Sequence, residues 1–149
     1  MPYFICPNCQ RRSFDEDGRE GLSHQALGCH ECGFGFVFQL LEDYFPGAGA
    51  AFAVCDREAR VLAAGKGVFE ISGRLEDRMI GLDVREALGL AFADGADPIP
   101  TVLEWGVRQL DVPATLHHAA GIDKPVTCDL FPAYDDDGGL LVAVTPSPA

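Results

Sequence analysis

Four of the six cysteines in this chain of 149 residues fall in its first 32 positions, as Cys6-Pro7-Asn8-Cys9 and Cys29-His30-Glu31-Cys32-Gly33. Two thiolates three positions apart on a tight turn reach one ion. Two such turns brought together supply four sulfurs in tetrahedral array. Clustered pairs of this kind in a cytosolic protein read as a metal site rather than a disulfide framework. Cys6, Cys9, Cys29 and Cys32 are therefore the expected ligands. Four sulfurs fill the tetrahedron and leave no open position, so a bound Zn2+ is expected to be structural. Iron suits the same ligands and is the alternative ion. The ion replaces a core that so short a segment cannot build. His30 lies inside the second knuckle and His24 in a polar loop, and both are expected to face outward. Arg11 and Arg12 are expected to offset thiolate charge or to face solvent.

After Cys32, Phe34, Phe36 and Phe38 alternate with Gly35, Val37 and Gln39, the period of a strand. Residues 1–39 together resemble a zinc ribbon. Residues 40–50, Leu-Leu-Glu-Asp-Tyr-Phe-Pro-Gly-Ala-Gly-Ala, begin apolar and end in Pro and Gly, and read as a linker. Residues 51–146 form a third zone, long enough for one domain. The hydrophobic share of 48% is enough for a packed core.

In that zone Ala51–Cys55 is a short apolar run. Asp56-Arg57-Glu58-Ala59 reads as a turn and Arg60–Ala64 as a second strand, together a hairpin. Residues 66–93 read mostly as short helices broken by Gly73, Gly81 and Gly89. Asp97 is placed to cap a helix with Pro98 in its first position. That helix is expected over 98–109, with Ile99, Val102, Leu103, Gly106, Val107 and Leu110 on one face. Trp105 lies off that stripe. It is read as capping the edge of the core, with an interface anchor as the alternative. Three strands are expected at Val112–Ala119, Pro125–Phe131 and Leu140–Thr145, the last two joined by a turn at Asp135-Asp136-Asp137-Gly138-Gly139. His117 and His118 fall on a predicted strand, one facing the covered side and one facing out. Cys55 and Cys128 sit in apolar runs and are expected to be buried and inert.

Several of these segments match one family in order and spacing. The stretch Phe52-Ala53-Val54-Cys55-Asp56-Arg57-Glu58-Ala59-Arg60-Val61-Leu62 resembles the opening hairpin of a PAS domain. Gly67-Val68-Phe69-Glu70-Ile71-Ser72-Gly73 resembles the short helix and glycine that follow. Met79-Ile80-Gly81-Leu82-Asp83-Val84 resembles the family's Ile-Gly step. Leu130–Asp135 and Gly138–Val144 resemble its closing strands. The resemblance spans roughly residues 44–146. It implies an α+β fold, a small zinc ribbon plus a PAS-like five-stranded antiparallel sheet with helices on one face. It also implies a sensor or dimerisation module with a small-ligand pocket. A homodimer through Leu40–Phe45 is expected on the same ground. The Asn-Cys-Arg-Phe-Leu pattern of photosensory flavin domains is missing, and the helix over 98–109 has no His for a haem.

The formal charge is -12, with no basic stripe. Nucleic-acid affinity rests on Lys and Arg neutralising phosphates, so direct nucleic-acid binding is not expected. No apolar run approaches a membrane span. The start, Met-Pro-Tyr-Phe-Ile-Cys, lacks a basic n-region and an apolar core, so a cytoplasmic location is expected. No Gly-x-Ser-x-Gly elbow, Walker A loop or dinucleotide fingerprint occurs. The expectation is a non-catalytic signalling or regulatory protein whose output passes through a protein partner or an unidentified small ligand. The alternatives are a transcription-associated zinc-ribbon accessory and a rubredoxin-like electron carrier.

Overall fold

The computed structural model describes residues 49–65, 67–93, 97–132 and 139–147, with the strands Tyr3–Ile5, Arg12–Phe14 and Phe38–Leu40 near the N-terminus. Cys6, Cys9, Cys29 and Cys32 lie outside the described residues, as do Asp135, Asp136, Asp137 and most of the expected linker.

Strands β1 (Tyr3–Ile5), β2 (Arg12–Phe14) and β3 (Phe38–Leu40) form an antiparallel sheet in the order β2-β1-β3. Ile5 pairs with Arg12 on one side and with Phe38 on the other.

The second sheet contains β4 (Ala51–Cys55), β5 (Val61–Ala64), β6 (Leu90–Phe92), β7 (Gln109–His117), β8 (Asp123–Pro132) and β9 (Leu140–Pro146). Its order is β5-β4-β9-β8-β7-β6, antiparallel throughout. The expected hairpin opens it. Asp56 Oδ1 accepts hydrogen bonds from the Glu58 and Arg60 N–H groups at 2.8 and 3.0 Å, the local side-chain turn that Asp favours. Helices α1 (Val68–Ser72), α2 (Val84–Leu88) and α3 (Ile99–Trp105) lie on one face, with a 3-10 turn at Glu76–Arg78.

The sheet has six strands rather than the expected five. The added strand, β6, directly follows Gly89 and pairs with Ala114–Leu116 of β7. Three residues after a helix carry too little alternation to read as a strand. α3 is also shorter than expected. Gly106 adopts a left-handed conformation (φ +65°), and its N–H bonds the Val102 carbonyl to close the helix. Ile99 and Val102 keep the predicted core positions, but Val107 and Leu110 are exposed. Trp105 is 75% exposed and does not cap the core.

Alternate residues of each strand face the helices. Ala53 and Cys55 of β4, Val142 and Val144 of β9, Cys128 and Leu130 of β8 and Leu116 of β7 meet Val68, Met79, Val84, Leu88 and Val102 in one core. Desolvation pushes the Cys128 thiol up to about 12, with a smaller contribution from Asp129, and pushes the Cys55 thiol up as well. Thiols so protonated are poor nucleophiles.

One guanidinium fastens the starts of two helices. Asp83 Oδ1 caps α2 by accepting the Arg85 N–H at 2.9 Å. The Arg85 side chain returns to Asp83 (Nη2–Oδ2 2.6 Å) and reaches Asp97 Oδ2, while Asp97 Oδ1 accepts the Ile99 N–H at 3.0 Å. The Arg85 hydrogen bond holds the Asp83 carboxyl below its ordinary range, against the opposing effect of partial burial. A depressed carboxyl adds stability above its unfolded pKa and loses it as pH falls through the folded value. Asp83→Ala is therefore expected to cost about 1 kcal/mol at pH 7, as a lost cap with a solvent-screened ion pair. Urea unfolding is expected to show that gap closing as wild type is acidified below the carboxylate range.

Candidate functional site

Where the chain enters β4 and leaves β9, a groove of about 390 Å3 opens at the rim of the helix-covered face. Gly49 and Pro146 form one wall, Gly67, Glu70 and Ile71 a second, and Lys124 and Val126 a third. Antiparallel pairing explains the convergence. Ala51 faces Val144 and Val126 faces Pro146, so the chain's arrival and departure share one end of the sheet. Gly67 precedes α1 and packs against Ala51, where a Cβ would lie 3.4 Å from the Ala51 methyl. That close packing seats the first turn of α1 beside the groove.

Lys124 explains the open end. It pairs with Leu116 and follows the same two-residue period as Val126, Cys128 and Leu130, so its side chain belongs to the core-facing row of β8. An ammonium cannot be buried unpaired at low cost. The apolar row therefore stops at Val126, and the half-buried Lys124 marks the groove's edge. Glu70 is exposed across from it. The site is apolar in its body with one cation and one anion at its margin, a surface suited to a small amphipathic ligand. None of these seven residues stood out in the sequence as functional, although the phase of Lys124 with three core residues was a readable signal.

The C-terminal end of α1 is fastened to the turn between β7 and β8. The Ala119 N–H donates to the Ser72 carbonyl at 2.9 Å, and Ser72 Oγ donates to the Val68 carbonyl at 2.6 Å. His118, predicted to be on a strand, lies just beyond it, half-buried, and its Nδ1 accepts the Ala120 N–H at 2.9 Å. His117 ends β7 and is exposed, its Nδ1 2.5 Å from Asp123 Oδ1. Among the described residues no cluster of three or more His, Cys, Asp or Glu side chains is arranged around a common point.

A family model described as the PAS fold matches residues 45–145. The chain belongs to the PAS family. Solved PAS structures share its fold at low identity. The PAS domain of a Colwellia psychrerythraea protein is 18% identical with a TM-score of 0.55, over 67% of this chain and 87% of that one. The PAS domain of the nitrogen regulation protein NR(II) from Vibrio parahaemolyticus is 13% identical with a TM-score of 0.55, over 68% and 92%. The light-state dimer of the fungal blue-light photoreceptor Vivid is 13% identical with a TM-score of 0.55, over 70% and 82%. No curated protein matches the chain. In this PAS domain the space between α1, α2, α3 and the sheet is filled by side chains such as Met79, Leu88, Leu116 and Leu130, all at 1% exposure or less. The groove lies at the edge of that packed layer. No described helix is long and apolar enough to cross a membrane.

Proposed function

We propose that this chain is a non-catalytic, cytoplasmic sensor or adaptor that reads a small amphipathic ligand in the groove beside Lys124. The observation that carries the reading is the groove's position. Its walls include Gly49, just before β4, and Pro146, the last residue of β9. A ligand held there touches the ends of two paired strands, and its differential affinity for two arrangements of them is a sufficient signal. A protein partner, or a second copy of the chain, then receives the output.

The N-terminal cysteines are proposed to form a structural zinc ribbon. Strand register supports this. Cys6 directly follows Ile5, and Ile5 pairs with both Arg12 and Phe38. The connection bearing Cys6 and Cys9 therefore joins the small sheet at the end where the chain arrives from Cys29 and Cys32. Zinc is preferred to iron because a sensor needs no redox centre. Purified protein is expected to be colourless, whereas an iron tetrathiolate is red.

Native mass spectrometry of the full chain tests the ligand reading. Protein from cells, or protein incubated with 8-anilinonaphthalene-1-sulfonate as an apolar anionic probe, is expected to carry one small molecule per chain. Glu70→Trp and Pro146→Trp, both at exposed positions on the groove wall, are expected to remove that adduct without loss of fold. An adduct retained in both variants, or none in wild type under either condition, rejects it.

A further inference from the structure

Two polar side chains line the groove, Lys124 and Glu70, and they are not equivalent. Lys124 is half-buried, whereas Glu70 is exposed. Among the described residues neither side chain makes an ion pair or a hydrogen bond, with the other or with anything else. Asp123, next to Lys124 in sequence, falls on the opposite face of β8 and is held 2.5 Å from His117 Nδ1. Asp129, the next acid along the strand, accepts the Asp111 N–H at 2.8 Å. Lys124 is thus a cation left without an anion at the mouth of an apolar groove. A water-facing carboxylate such as Glu70 gains little from an ion pair. A half-buried ammonium gains more, because it has already lost part of its hydration and solvent screens it less.

The rest of the wall narrows the ligand further. Gly49, Gly67, Ile71, Val126 and Pro146 offer no side-chain donor or acceptor. A ligand rich in hydroxyls or amides would leave those groups unpaired against them. The volume of about 390 Å3 lies near the lower end of the roughly 300–1,000 Å3 of small-molecule sites. We infer, resting on the proposed role of the groove, that its ligand is a small apolar monocarboxylate, with the carboxylate on the Lys124 ammonium and the tail along Ile71 and Val126. One ammonium balances one negative charge. Glu70 across the groove opposes a second, so a dicarboxylate is disfavoured.

Isothermal titration of the full chain with octanoate, octan-1-ol and octylammonium, alike in tail and different in head, tests the inference. Octanoate is expected to bind about tenfold more tightly than octanol, the preference that one hydrogen bond between charged groups supplies. It is expected to displace 8-anilinonaphthalene-1-sulfonate, and octanedioate is expected to bind more weakly than octanoate. The preference for octanoate is expected to shrink as sodium chloride is raised. It is expected to survive in Lys124→Arg and to disappear in Lys124→Met, which keeps the apolar stem of the side chain. The wild-type series decides on its own should Lys124→Met lose its fold. Equal binding of octanoate and octanol, tighter binding of octylammonium, or an unchanged preference in folded Lys124→Met would overturn the carboxylate and leave the groove as a ligand site. Binding of none of these probes, the sulfonate included, would overturn both.

Discussion

Gly89→Ala is expected to destabilise the PAS domain by about 2–4 kcal/mol, the sum of a left-handed backbone penalty and a backbone collision. Gly89 sits at the junction of α2 and β6 with φ +70°. A Cβ there would lie 2.6 Å from the His117 carbonyl oxygen and 3.1 Å from Arg74 Nη2. The His117 carbonyl cannot move aside freely. It accepts Arg74 Nη2 at 3.0 Å, and the His117 N–H donates to the Gly89 carbonyl at 2.7 Å. The added methyl thus pries β6 from β7 and loosens Arg74, whose Nε is buried with no hydrogen-bond partner among the described residues. Gly106→Ala is the control. Its φ is +65° but nothing lies within 4 Å of its Cβ position, so only the conformational cost of about 1 kcal/mol is expected. Thermal unfolding of both variants checks the difference, since each kcal/mol shifts Tm by roughly 4–8 °C in a domain of this size. Equal losses would place the cost in backbone conformation alone.

Cys29→Ser is expected to remove the metal from the purified chain. Serine is a poor zinc ligand, and three remaining thiolates leave the tetrahedron open. Binding of a structural zinc is worth on the order of 10–16 kcal/mol in small cysteine modules, and that free energy is the module's folding free energy. On the proposed zinc site, loss of one ligand is expected to take most of that free energy with it. Elemental analysis is expected to show one zinc per wild-type chain and close to none in the variant. Because burial keeps Cys55 and Cys128 protonated, they are not expected to substitute as ligands. Wild-type protein prepared without chelators yet free of both zinc and iron would contradict the metal site.

Much of the larger sheet was legible. Strand β4 runs over Ala51–Cys55 as expected, and β9 begins at Leu140 and extends one residue past the expected Thr145. Unbroken apolar runs with sharp boundaries left little choice there. The breaks at Gly73, Gly81 and Gly89 also fall where short helices or turns end. Two kinds of feature were less visible. β6 pairs through only three residues, and α3 stops at Gly106 although Val107 and Leu110 continue its periodicity, so apolar spacing alone overran the helix. The groove was hidden for another reason. It arises where Gly49, Glu70, Lys124 and Pro146, far apart in sequence, meet at one end of the sheet, and only the strand order brings them together. The burial of both faces of β4 and β9 had a local signature, a run with no polar alternation.

Backbone amide shift mapping on the full chain, titrated with 8-anilinonaphthalene-1-sulfonate, tests the ligand site most directly. The groove account predicts saturable shifts concentrated at Gly49, Gly67, Ile71, Lys124 and Val126. Saturable shifts concentrated at Trp105–Leu110 instead, or no saturable shifts, would contradict it.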